Sequence, residues 1–247
     1  MKKIIKKLIQ CYLKFLSKIT ISRYKPDIIA VAGSTGKHPI KKGLNNLLQN
    51  EFKIRMAPKK YNAELGIPLA IFGLVANSSK INVWLKVITK ATQITLFSKD
   101  FPQKIILEIG ISHPKDIDYF LSLIRPQITV LTDINAQYID NFGDLDKIAL
   151  EYKKLIQNTK KDGLVLLNCD DLRIKELYMF SDAKTICYGQ NKGSDIKISD
   201  IKSENNKQLF TVDSKEGQTS HSMEKFGIHH ARAKAVKEAV KNYYKII

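Results

Sequence analysis

The first chemistry legible in the chain lies in Gly33-Ser34-Thr35-Gly36-Lys37. These residues follow a short apolar run, Asp27 to Ala32, and precede a stretch with helical spacing. A glycine turn between a buried strand and a helix aims backbone N–H groups and the helix N-terminus at one point, which suits an anion such as a phosphate. Lys37 would then face the outer phosphates of a nucleotide. The general phosphate loop also places a glycine where this chain has Val31, and a hydroxyl residue where it has His38. That hydroxyl normally ligates magnesium, a hard ion that prefers oxygen, and imidazole is a poor replacement. Pro39 follows and has no N–H to offer a phosphate. Taken alone, the motif fits either a nucleotide site or a plain strand-to-helix turn.

Three other groups carry reactive side chains. Glu108 ends an apolar run, and a carboxylate at the carboxyl end of a parallel strand either faces the ligand crevice or caps a neighbouring helix. His229 and His230 are adjacent; neighbouring histidines rarely converge on one ion, so structural roles are expected over a metal site. Cys11, Cys169 and Cys187 are odd in number, far apart and without C-x-x-C spacing, and read as free thiols in a reducing compartment.

The elements that must position these groups alternate along the chain. Apolar runs at 27–32, 104–109, 127–131, 163–167 and 185–188 read as buried parallel strands, and helical patterns lie between them at 39–49, 82–97, 114–124, 143–158 and 171–180. This order predicts an α/β fold with a doubly wound, mostly parallel sheet and a turn like a phosphate loop. Polar, alternating text from about 195 to 220 predicts a small antiparallel excursion, and His229 to Ile247 a final helix that docks on the sheet. With 44% hydrophobic and 26% charged residues in 247, the composition excludes disordered, collagenous and disulfide-scaffold classes.

The charge is uneven. Of a net +17, nearly half falls in the first 25 residues, which hold Lys2, Lys3, Lys6, Lys7, Lys14, Lys18, Arg23 and Lys25 and no acid. Ile5, Leu8, Ile9, Tyr12, Leu13, Leu16 and Ile19 recur there at helical spacing. The chain therefore divides into a basic amphipathic helix, 1–25, and a domain, 26–247. The helix is too short in apolar run to span a bilayer and lacks a cleavage site. It either lies on an anionic inner-leaflet surface, with Lys2, Lys3, Lys6 and Lys7 facing the headgroups, or packs on the domain with its lysines solvated. The expected location is cytoplasmic, or peripheral at the inner membrane face. No helix-turn-helix, zinc-finger or aromatic RNP pattern points to specific nucleic acid.

Several separated stretches, in order, resemble the central ATP-binding domain of the Mur ligases. They are Ile28 to Lys37, Tyr61 to Leu69, Leu107 to Gly110, His113 to Ile117, Ile124-Arg125-Pro126, Asn141-Phe142-Gly143, Leu167 to Asp171 and Gly227-Ile228-His229. The likeness is nearest to ligases that add D-alanyl-D-alanine to a UDP-N-acetylmuramoyl peptide. It implies ATP and magnesium as cofactors, and an amide formed through an acyl phosphate, a transfer that depends on neutralising phosphate charge. It also implies that Gly33, Ser34, Thr35, Gly36 and Lys37 hold the phosphates and Glu108 a magnesium. Asn168 and Asp171 would lie near base and ribose, and Asn62 and His229 on the substrate side.

The departures fall on metal-handling positions. Tyr138 stands for the family's metal-binding histidine, Tyr152 for the lysine that is carbamylated, Ala63 for a loop asparagine and His230 for the asparagine after His229. Lys153, one residue on, is turned about 100° away on a helix. Magnesium is expected to bind weakly or not at all. Full ligases also have a domain before and a domain after this one, and closure of the latter assembles the site, so the central domain alone is expected to ligate poorly. Three readings follow: a degenerate domain that binds or scaffolds near cell-wall synthesis; an active ligase or ATPase completed by a cell-wall synthesis protein supplying the missing domains; or a basic membrane-surface protein whose α/β domain is inert.

Overall fold

The computed structural model describes residues 3–57, 65–78 and 80–246, without the side chain of Lys3; Lys2, Asn62 and Ala63 lie outside the described residues. The elements run α1 (Lys3–Tyr24), β1 (Asp27–Ala32), α2 (Lys37–Leu48), β2 (Ile54–Met56), α3 (Gly66–Phe72), α4 (Ile81–Phe97), β3 (Lys104–Ile109), α5 (Asp116–Leu121) and β4 (Ile128–Leu131). They continue as α6 (Ile139–Phe142), α7 (Leu145–Gln157), β5 (Leu164–Asn168), α8 (Leu172–Glu176), β6 (Lys184–Gly189), β7 (Ile196–Glu204), β8 (Lys207–Ser214), β9 (Gly217–Met223) and α9 (Ile228–Tyr243).

Strand side chains alternate between two helix layers. Ile28, Ala30 and Ala32 of β1 join Leu107, Val165 and Leu167 under Ile117, Phe120, Ile148 and Leu155 from α5 and α7. Ile29 and Val31 face the other way, with Ile106, Val130 and Leu166, onto Ile40, Leu44, Ala235 and Val236 from α2 and α9. Burial on both faces is why these strands read as unbroken apolar runs.

The nine-stranded sheet has the order β2-β3-β1-β4-β5-β6-β7-β8-β9. Pairing is parallel from β2 through β7 and antiparallel in β7-β8-β9. β1 lies between β3 and β4, so the winding reverses beside it, and the crevice outside its carboxyl end is where such sheets take ligands. The predicted antiparallel excursion is present as β7 to β9, and it extends the main sheet through parallel pairs Tyr188↔Ile196 and Gly189↔Lys197.

The free-thiol reading is corrected for two of the three cysteines. Cys169 and Cys187 form a disulfide, while Cys11 is a free, exposed thiol. β5 and β6 pair with Asn168 opposite Tyr188, so residues 18 apart in sequence meet at the ends of neighbouring strands.

α1 packs on the domain with part of its apolar surface. Ile9, Leu13 and Leu16 are buried with Leu69 and Phe72 of α3 and with Trp84, Val87 and Ala91 of α4. Thr20 and Thr95 share a buried hydroxyl–hydroxyl hydrogen bond of 2.9 Å. Leu8, grouped with that face by periodicity, is instead 65% exposed. Among the described residues no helix is long and apolar enough to cross a membrane.

Candidate functional site

The turn Gly33–Lys37 joins β1 to α2 at the switch point. Gly33 has φ +124°, and a Cβ there would lie 2.1 Å from Thr132 Oγ1. Gly36 has φ +72° and precedes the first turn of α2. Both conformations favour glycine, the first absolutely because the exit of β4 presses on it.

That exit clamps the turn. Ser34 N–H donates to Asp133 O (2.9 Å), Thr35 N–H donates to Asp133 Oδ1 (2.6 Å), and the Thr35 hydroxyl also donates to the Asp133 carboxylate. Thr132 Oγ1 donates to Thr35 O (2.6 Å) and Asn135 N–H to Ser34 Oγ (3.0 Å). Lys37 Nζ curls back to donate to Gly33 O and to Ser34 O (2.9 Å). The turn is thus held in a fixed shape, and Asp133 places a carboxylate on one of its N–H donors.

Glu108 sits opposite Val31 on the neighbouring strand, and its carboxylate meets Lys41 from α2. Lys41 Nζ lies 2.9 Å from Glu108 Oε2, with the two side chains 3% and 2% exposed. The same ammonium donates to Ala57 O at 3.2 Å. A buried carboxylate requires a cation, and here the chain supplies its own. The magnesium that the family resemblance implies does not fit this donor set. The Lys41 ammonium holds the Glu108 carboxylate, and His38, a nitrogen donor where an oxygen is wanted, lines the cleft between α2 and α9 instead of the space at Glu108. Among the described residues no group of three or more His, Cys, Asp or Glu is placed to hold a metal.

A small space of about 130 Å³ opens beside Glu108, lined also by Gly33, Ser34, Lys37, Tyr138 and Tyr152. Tyr152 is buried against the Gly33 backbone, and burial pushes its phenol well above the ordinary range, so it remains neutral. It fills room on the Glu108 side of the turn without bringing charge. Tyr138 stands at the start of α6 in a left-handed conformation, φ 65°. Gly33, Ser34, Lys37 and Glu108 therefore line one space.

Asn168 and Asp171 are near the turn but serve the backbone. Asn168 is buried and donates from Nδ2 to Thr132 O. Asp171 accepts from Ile134 N–H (2.9 Å) and caps α8 by accepting from Arg173 N–H (3.0 Å). They hold the β4 exit that in turn holds Thr35. His229 lies on the far side of Gly36 with its ring 4.2 Å from that of His230.

On that far side, between α2 and α9, a cleft of about 270 Å³ is lined by His38, Lys42, Lys225, His230, Lys234 and Lys237. Burial and then Lys237 lower the Lys234 pKa, and burial followed by His229 and Lys225 lowers that of His230. Positive charge is crowded here, which attracts anions. Sequence reasoning missed this cleft, Lys41 and Asp133. Two signals were available: Lys37 and Lys41 share a helix face at i, i+4, and Lys234 and Lys237 do so at i, i+3.

A doubly wound sheet with a glycine turn at its switch point, a lysine over the turn and a carboxylate on the next strand defines a phosphate-loop α/β domain. The profile of the Mur ligase middle domain matches residues 31–232, and the chain belongs to that family. Among relatives, the UDP-N-acetylmuramoyl-tripeptide–D-alanyl-D-alanine ligase of Bacillus subtilis (strain 168) is 22% identical over 200 residues, covering 81% of this chain and 38% of its own. The ligase of the same name from Buchnera aphidicola is 24% identical over 203 residues, covering 82% and 39%. The MurF ligase of Thermotoga maritima, solved in complex with ADP, superposes with a TM-score of 0.77 at 19% identity, covering 96% of this chain and 49% of that one. The chain thus spans between about two fifths and one half of these relatives' lengths.

Proposed function

We propose that this Mur ligase middle domain binds nucleotide phosphates at Gly33–Lys37 without relying on magnesium, and acts by binding or scaffolding beside peptidoglycan-precursor ligases rather than by turning over ATP. The carrying observation is the buried Lys41–Glu108 pair, 2.9 Å apart. An ammonium already balances the carboxylate that the family resemblance assigns to the metal. Tyr138 and Tyr152 stand beside it where that resemblance expects metal-handling groups. Phosphoryl transfer draws its rate from charge neutralisation around the moving group, so loss of the ion removes most of the catalytic advantage while leaving the backbone cradle usable.

The relatives named as D-alanyl-D-alanine ligases support a place near cell-wall precursor synthesis, and the ADP bound by the Thermotoga maritima enzyme supports adenine nucleotide as ligand. The test is calorimetric titration of ADP into wild type and Lys37→Ala in a chelator-containing buffer. Wild type is expected to bind, and Lys37→Ala to bind roughly ten- to a hundredfold more weakly, the worth of one charge-assisted hydrogen bond. Equal binding by both would remove Lys37 from the site, and magnesium-dependent amide formation by the purified chain would replace scaffolding with ligation.

A further inference from the structure

We propose that the solvent face of the α1–α4 pair docks on an anionic lipid bilayer. α1 carries two apolar stripes. One, through Ile9, Leu13 and Leu16, is buried against α3 and α4. The other, Ile4, Leu8, Tyr12, Phe15 and Ile19, falls within an arc of about 80° at helical pitch. It stays in water, with Ile4 75%, Leu8 65% and Phe15 59% exposed.

α4 adds a matching stripe. Ile81, Leu85 and Leu96 are 52%, 57% and 51% exposed and share one side of that helix with Thr92. The Tyr12 hydroxyl lies 3.0 Å from Thr92 Oγ1, which sets the two stripes side by side across the helix seam. Single exposed apolar residues need no explanation, but a continuous run over two helices is a docking surface.

Charge identifies the occupant. None of the 24 acidic residues lies in α1, α3 or α4, whereas Lys6, Lys7 and Lys18 on α1 and Lys86 and Lys90 on α4 are exposed. A second copy would bring an equally positive, acid-free face against this one and be repelled. A bilayer of anionic lipids offers headgroup charge to the lysines and an acyl boundary to Leu8, Phe15 and Leu85, the two requirements of an interfacial helix. The pair is already packed, with Trp84 buried beneath it, so docking needs no unfolding of α1.

The experiment is flotation of the full chain with vesicles of mixed phosphatidylglycerol and phosphatidylcholine, and with phosphatidylcholine alone. Wild type is expected to float only with the anionic vesicles and to be released by high salt. Two triple variants separate the contributions. Lys7→Glu, Lys18→Glu, Lys86→Glu should weaken binding by about a hundredfold or more, at roughly fivefold per lysine charge. Leu8→Ser, Phe15→Ser, Leu85→Ser keeps every lysine and should also be lost from the floating fraction. Emission of Trp84, the chain's single tryptophan, reports that the helix pair remains packed in each variant. Unchanged flotation of either folded variant would overturn the proposal, the apolar one by showing mere adsorption of a cationic protein. Equal binding to neutral vesicles would do the same, as would a solution dimer that the apolar substitutions dissociate.

Discussion

Lys41 and Glu108 are 67 positions apart in sequence and meet inside the core, so no spacing in the text could announce their pairing. Replacing one partner strands a buried charge. Lys41→Met is expected to cost about 3–5 kcal/mol in urea unfolding, and Lys41→Met with Glu108→Leu to recover most of it, since an apolar pair replaces an ionic one well. A single variant as stable as wild type would show the pair to be weakly coupled. Asp133 is a second residue that the motif did not reveal; its carboxylate accepts from the Thr35 N–H inside the loop. Asp133→Asn keeps an acceptor while removing negative charge from the proposed phosphate site. ADP affinity should rise about tenfold, a change of roughly 1.4 kcal/mol, and unchanged or weaker binding would place Asp133 away from the phosphates. The glycines and Lys37 were legible because a tight turn restricts residue type locally. Partners that arrive from another strand leave no such mark.

The same division holds for elements. β1, β3, β4, β5 and β6 were readable as short runs because both of their faces are covered. β2 was not, since Ile54-Arg55-Met56 is three half-buried residues. α3 was hidden by its own sequence, Gly66-Ile67-Pro68-Leu69-Ala70-Ile71-Phe72, which is buried all round and so has no polar side to give it a period. α1 was recognised as amphipathic, but its division into a packed and an open stripe depends on where α4 lies. The Cys169–Cys187 bond likewise depends on strand order. Cys169→Ser with Cys187→Ser should lower the unfolding free energy by about 3 kcal/mol, the loop-closure value for this separation. An alkylating thiol reagent should label Cys11 alone, folded or unfolded, until a reductant cleaves the Cys169–Cys187 bond. Labelling of all three cysteines in the folded, unreduced protein would contradict the pairing.

At the scale of the whole molecule, charge sets two behaviours. His221 and His230 have pKa values lowered chiefly by burial, so the folded state prefers them neutral and the unfolded chain binds protons first. Stability from these groups is complete above the ordinary histidine pKa and is lost as pH falls from about 6.5 through the lower folded values. Tm should therefore drop on going from neutral pH to about 5.5. The drop should shrink in His221→Gln, His230→Gln; an undiminished drop would assign it to other groups.

The second behaviour concerns the cation at the phosphate loop, and the most direct measurement is the affinity of the wild-type chain for ADP in the presence of magnesium and in the presence of a chelator. With Lys41 supplying the charge beside Glu108, the two dissociation constants should agree within about twofold, well under the tenfold that 1.4 kcal/mol represents. Tightening by a factor of ten or more on adding magnesium would show that the ion displaces the ammonium and that a working metal site survives.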